Sequence, residues 1–208
     1  MNRAAYYEKM AHLARDIREH YGLTTFRVRK SDMRTIYRAE GIRIDLWPHR
    51  LKSLRGAYFN DSIGTSVLVA KRLPEDPFVF TLGHELKHHF VDRSLGQSFC
   101  HSSNDSEPIE IGAEIFAAEL IFPEGDFCEW LRQHGVGPYK CTPEDLVRLK
   151  HETQTTLSYA GLAKRAVRNG FASPAALANQ RWKNLEETLY GEPIYKKLRR
   201  RGYPFGRV

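Results

Sequence analysis

Gly83-His84-Glu85-Leu86-Lys87-His88-His89-Phe90 carries an H-E-x-x-H pattern, and the reading of this stretch governs that of the rest of the chain. Residues four apart on an α-helix lie on one face, about a turn from each other, so His84 and His88 can offer two imidazole nitrogens to one metal ion. Glu85 stands about 100° round the helix from His84, placed to reach a water at that metal rather than to join the pair. The flanks favour a helix. Asp76 reads as its N-cap and Pro77 as its first residue, while Phe78, Leu82, Leu86 and Phe90 repeat at a spacing of four for burial. The histidines are expected on a different face from that apolar stripe.

A catalytic zinc usually has three protein ligands and one open position. The extension that places Gly and a third His three and six residues after the motif is absent, because Val91 and Ser94 stand there. A second helix offers better candidates. It is predicted to start at Ser106 as N-cap, with Glu107 and Pro108 in its first turn, and to stop at Pro123. Ile109, Ala113, Phe116, Ala117 and Leu120 give it an apolar face, and the small Gly112, Ala113 and Ala117 allow close approach to the first helix. Glu110 and Glu114, four apart, point the same way.

H-E-x-x-H at 84–88 followed by E-x-x-A-x-x-F-A-x-x-L-x-x-P at 110–123, filled by Glu110, Ala113, Phe116, Ala117, Leu120 and Pro123, resembles the ImmA/IrrE family of small bacterial metallopeptidases. The double motif is specific. Looser similarity runs through Leu54-Arg55-Gly56-Ala57-Tyr58 and through Leu157-Ser158-Tyr159-Ala160-Gly161-Leu162, so it covers most of the chain. The resemblance implies one Zn2+ per chain on His84, His88 and Glu110, with Glu85 as catalytic base. It further implies a gluzincin-like endopeptidase whose substrate is a helix-turn-helix transcriptional repressor of a mobile element or stress response. Glu114 stands where the family commonly has Asn, which leaves the third ligand open between Glu110 and Glu114. With Glu110 as ligand, Glu114 is expected to accept the outer N–H of His84 or His88.

At 208 residues, 41% of them hydrophobic and 12% aromatic, the chain can bury a sizeable core. Cys100, Cys128 and Cys141 are odd in number and lack C-x-x-C spacing, which argues against a disulfide framework or zinc knuckle and for a reducing, cytoplasmic setting. No run approaches the ~18 apolar residues of a membrane span, and Arg15, Asp16 and Arg18 are unlike a signal peptide. The net charge of +7 is concentrated at the end of the chain, where Arg181–Val208 holds eight Lys or Arg against three Glu. That stretch reads as a solvated basic tail, with weak DNA contact as its other use.

The remaining segments complete an α+β expectation: a zincin-like, mostly helical domain with a small, largely antiparallel sheet beside the H-E-x-x-H helix, and a helical C-terminal extension. Residues 4–21 make an amphipathic helix closed by Gly22, and a short helix from Ser31 turns Met33, Ile36 and Tyr37 inward before Gly41. Ile42, Ile44 and Leu46 alternate with Arg43 and Asp45 as a strand with one buried face. Gly56–Phe59 and Ser66–Ala70 form two more strands around Asn60, Asp61 and Ser62. Because a peptidase commonly holds its substrate as an added strand, the Tyr58–Val69 hairpin either supplies that edge or simply covers the helix. Residues 91–105 read as a polar loop whose Cys100 and His101 are less well placed as ligands than a helical carboxylate, and His89 reads as a wall or supporting residue. Helices follow from Thr142, from Ser158 to Gly170, and from Pro174 to Tyr190, the last with a stripe of Ala178, Trp182, Leu185 and Leu189.

These assignments divide the chain into a metallopeptidase domain (1–140), a helix-turn-helix-like extension packed on it (141–190) and the basic tail (191–208). The rival function is a non-catalytic DNA-binding or repressor-binding regulator with a structural zinc site. Glu85 argues against it, since a structural site needs no base.

Overall fold

The structure, a computed structural model, describes residues 2–48, 54–95, 97–101 and 107–193. Two N-terminal helices, α1 (Arg3–His20) and α2 (Lys30–Ala39), lead into the strands β1 (Arg43–Trp47), β2 (Leu54–Asp61) and β3 (Gly64–Ala70). The motif helix α3 (Glu75–Val91) is followed by a 3-10 turn at Arg93–Leu95 and by β4 (Gln97–His101). The rest is helical: α4 (Pro108–Ile121), α5 (Glu124–Gln133), α6 (Pro143–Thr153), α7 (Tyr159–Arg168), α8 (Pro174–Leu177) and α9 (Trp182–Tyr190). This is an α+β zincin-like architecture with a small mixed sheet. Among the described residues, no helix is long and apolar enough to cross a membrane.

The sheet has the order β1-β3-β2-β4, with β1 parallel to β3 and the other two pairings antiparallel. The hairpin turn is tighter than expected: Asn60 and Asp61 belong to β2, and Asp61 pairs with Gly64 across Ser62 and Ile63. Gly64, at φ 128°, occupies a backbone region that side chains disfavour. Both hairpin strands are interior to the sheet, so the hairpin covers α3 and the free edges belong to β1 and β4. Alternation is clean in β3, where Val67 and Val69 are buried against the core, whereas β2 buries Gly56, Ala57 and Tyr58 in succession. β1 behaves differently. As an edge strand it leaves Leu46 about two-fifths exposed, where alternation predicted burial, although Ile42 just before it is buried. The polar loop expected at 91–105 contains β4, which carries Cys100 and His101 and extends the sheet beyond β2.

α3 begins at Glu75 with Pro74 at its N-cap, not at the Asp76 cap expected from sequence. Asp76 instead accepts from Lys150 of α6 at 2.8 Å, a long-range ion pair that outcompetes local capping. Phe78, Leu82 and Leu86 are buried as their spacing predicted, but so are Thr81, Glu85, Lys87, His88 and His89 on the other faces. The helix is walled by the sheet on one side and α4 on another. α4 runs antiparallel to it, as contacts from Gly83 to Ala117 and from Lys87 to Ile109 require. A Cβ on Gly83 would lie 3.2 Å from Ala117 Cβ, so this pair sets the close approach of α3 and α4. Gly112 serves a different helix: a Cβ there would meet Tyr6 of α1 at 2.7 Å. The N-cap of α4 is Glu107, and the predicted cap Ser106 lies outside the described residues.

α5 was not foreseen, although Phe127, Cys128 and Leu131 bury one of its faces. α6 and α7 match their predicted caps, Thr142 closing a capping box with Asp145 and Ser158 accepting from Gly161 N. Their residues Leu146, Leu149, Leu162 and Ala166 join the same core cluster as Leu82 and Phe116. The helix predicted at 174–190 is broken into α8 and α9 around Asn179 at φ 55°. Its stripe is accordingly split, with Trp182 stacked on Tyr159 and Leu189 exposed. Of the basic tail, residues 194–208 lie outside the described residues.

Candidate metal centre

The i,i+4 spacing on α3 and the antiparallel crossing of α4 bring His84, His88 and Glu110 together, one donor atom of each lying within 4.8 Å of the others. His84 Nε2 is 3.1 Å from Glu110 Oε2 and His88 Nε2 is 3.7 Å from Glu110 Oε1. Among the described residues, this is the group of His, Cys, Asp or Glu whose donors converge in this way. Tetrahedral ligands at zinc distances of ~2.1 Å stand about 3.4 Å apart, so these separations suit a small dication. Two imidazoles and a carboxylate, mostly withdrawn from solvent, are also a donor set that zinc accepts. The residues present therefore fit the metal.

His88 is oriented from behind. Its Nδ1 lies 2.7 Å from Asp92 Oδ2, one turn further along α3, so an N–H donated there leaves the Nε2 lone pair facing Glu110. Asp92 also accepts from Lys87 Nζ. Burial works to raise the Asp92 pKa, but the hydrogen bonds from His88 and Lys87 outweigh it and hold the carboxyl below its ordinary value. Sequence reasoning missed Asp92, although His88-x-x-x-Asp92 is itself a helical i,i+4 pair.

Glu114, expected in that supporting role, accepts instead from Lys164 of α7 at 3.2 Å. It lines a cavity of about 1190 Å³ between α1, α3, α4 and α7, whose walls include Phe80 and Ile115 but none of the three converging donors. The physical reason is that Lys164, on the wall of the same cavity, presents an ammonium to Glu114. His89 points away from the cluster. Its Nδ1 is 3.3 Å from Tyr58 Oη and its Nε2 is 3.5 Å from Glu40 Oε2, so it ties α3 to β2 and α2. Burial, reinforced by Arg93, lowers the pKa of this imidazole.

Glu85 is fully buried on the sheet side of α3. Gly56 of β2 explains how it fits there: a Cβ at residue 56 would lie 2.5 Å from Glu85 Oε1 and 2.6 Å from Thr81 Cγ2. The strand can pass over the carboxylate only because residue 56 has no side chain.

The three basic residues of α7 all meet acids. Lys164 pairs with Glu114, Arg165 with Glu119, and Arg168 with Glu124.

Comparison with protein families matches residues 38–162 to the IrrE N-terminal-like domain of the peptidase M78 family. No curated protein matches the chain at a significant level. The matched span runs from the end of α2 into α7 and takes in the sheet, the H-E-x-x-H helix and the helix bearing Glu110. The chain belongs to the ImmA/IrrE family, peptidase M78, whose function is of the metallopeptidase type.

Proposed function

We propose that the protein is a cytoplasmic zinc-dependent endopeptidase that cuts one specific protein, a helix-turn-helix repressor controlling a mobile element or a stress response. The observation that carries this reading is the convergence of His84, His88 and Glu110 beside a buried Glu85 on the same helix. His84, His88 and Glu110 are assigned as the ligands of one zinc per chain. A zinc ion bound there supplies Lewis acidity, polarising the scissile carbonyl and lowering the pKa of a nearby water.

The protein's own groups do the rest. Glu85 accepts the proton of the attacking water and delivers it to the leaving amine, so one carboxylate serves first as base and then as acid. The bare Cα of Gly56 leaves the room that this carboxylate occupies under β2. Asp92 keeps the Nε2 of His88 turned towards Glu110. The resemblance to the family supports the repressor as substrate. The ion-paired α7 favours packing on the catalytic core over DNA binding as the role of its basic residues.

Co-expression with the product of a neighbouring repressor gene tests the whole reading. Truncated repressor with the wild-type protein, and intact repressor with Glu85→Gln, are expected. Protein purified without chelators and holding no stoichiometric zinc would refute it.

A further inference from the structure

Lys87 lies inside the H-E-x-x-H motif, between Glu85 and His88, and its side chain is wholly buried. An ammonium removed from water is tolerated only when paired and hydrogen-bonded. Here the partners sit on two different elements. Nζ donates to Asp92 Oδ2 at 2.5 Å, the same oxygen that lies 2.7 Å from His88 Nδ1. It also donates to the carbonyl of Ile109 at 3.0 Å, in the first turn of α4 and one residue before Glu110. The ring of Tyr6, from α1, lies 5.8 Å from the same ammonium.

We propose that Lys87 is a positioning residue of the metal centre: it joins the carboxylate that orients His88 to the backbone that carries Glu110, and so sets the spacing of these two ligands before a metal arrives. The proposal rests on the metallopeptidase reading given above. His88 can leave its position by rotating its ring, and Glu110 can leave by a shift in the start of α4. Asp92 restrains the first movement and the Ile109 carbonyl anchors the second. One ammonium holds both. A lysine suits the place because its compact charge carries three donors that can diverge towards separate acceptors. Without it, the metal itself would have to order the ligands, at a cost in affinity.

A merely structural ion pair would change stability and leave the metal site alone, so metal binding is the measurement that separates the two roles. Zinc affinity is measured by competition with a chromophoric chelator for wild type, Lys87→Met, Asp92→Asn and the double variant, alongside circular dichroism and the visible spectrum of the Co2+ forms. Lys87→Met is expected to stay folded, to bind zinc about 10 to 100-fold more weakly and to alter the Co2+ bands. The combined loss in the double variant should be smaller than the product of the two single losses, because both residues act through one oxygen. A folded Lys87→Met with unchanged zinc affinity and an unchanged Co2+ spectrum overturns the proposal, as do independent, fully multiplicative losses. Should Lys87→Met not fold, Lys87→Gln is measured against the same criteria. Wild type that binds no zinc would instead bring down the metallopeptidase reading, and this proposal with it.

Discussion

The two ends of α4 each bury a glutamate, and the two are put to opposite uses. Glu119, near the C-terminus, meets Arg15 Nη1 at 2.8 Å and Arg165 Nη2 at 3.2 Å, and accepts from the backbone N–H of Glu124 at 2.9 Å. Guanidinium groups stay charged at any physiological pH, so this carboxylate is neutralised permanently and in place. The same region closes the helix: Arg18 donates to the carbonyls of Leu120 and Ile121, and Arg165 to that of Phe122. Glu110, near the N-terminus, faces two imidazole nitrogens instead. Imidazoles can be neutral, and their lone pairs can turn to a metal that the carboxylate also binds. The residue type and the helix are shared. The chemistry of the partners makes one end a clamp and the other a candidate metal site.

That contrast is broken most directly by truncating each glutamate. Glu110→Ala is expected to abolish stoichiometric zinc while the metal-free protein keeps its fold, as metal analysis and circular dichroism would read. Glu119→Ala should do the reverse, since it strips the buried Arg165 of its nearer carboxylate. A loss of about 3–5 kcal/mol in chemical unfolding is expected, with zinc retained by the folded fraction. Zinc loss from folded Glu119→Ala would erase the distinction between the two ends.

Glu85→Gln sharpens the metal end by separating binding from chemistry. The amide cannot take the water's proton, so turnover should fall on the order of 10²- to 10⁴-fold while zinc content stays at wild type. Full activity in this variant would remove Glu85 from the reaction. Gly56→Ala reaches the same carboxylate from the sheet. Its Cβ must displace Glu85 Oε1 or Thr81 Cγ2, and misplacement by about 1 Å can cost roughly 10²-fold in rate. Zinc affinity should be untouched, and unchanged kcat would show that Glu85 does not depend on the bare strand above it. The smallest effect is expected at Glu114, whose partner Lys164 is largely exposed. Glu114→Gln should alter stability by no more than about 1 kcal/mol and leave zinc binding within about twofold. A tenfold loss of zinc affinity would return Glu114 to the metal centre.

Much of this site is legible along the chain because its rules are local. His84 and His88 share a face by helical periodicity alone, and the same reasoning places Glu110 one turn from Glu114. The caps Thr142 and Ser158 and the inward Met33, Ile36 and Tyr37 are likewise set by neighbours within four residues. Asp92 obeys the same local rule, one turn beyond His88, and the apolar triplet of α5 follows a Gly in its first turn.

Other features depend on residues far apart in sequence. Which glutamate meets the histidines depends on how α4 packs against α3, where Gly83 lies against Ala117. Asp76 gives up its capping role because Lys150, 74 residues away, reaches it. The hairpin that alternation predicted becomes the centre of the sheet once β1 and β4 take its two sides, so the strand offered as a substrate edge is a cover. Gly56 shows the same dependence: in sequence it is a glycine in a strand, and its reason appears only when Glu85 is found beneath it. Periodicity reports which face a side chain occupies on its own element. What stands opposite that face is set by packing, where burial and charge pairing are settled between elements that the chain order leaves apart.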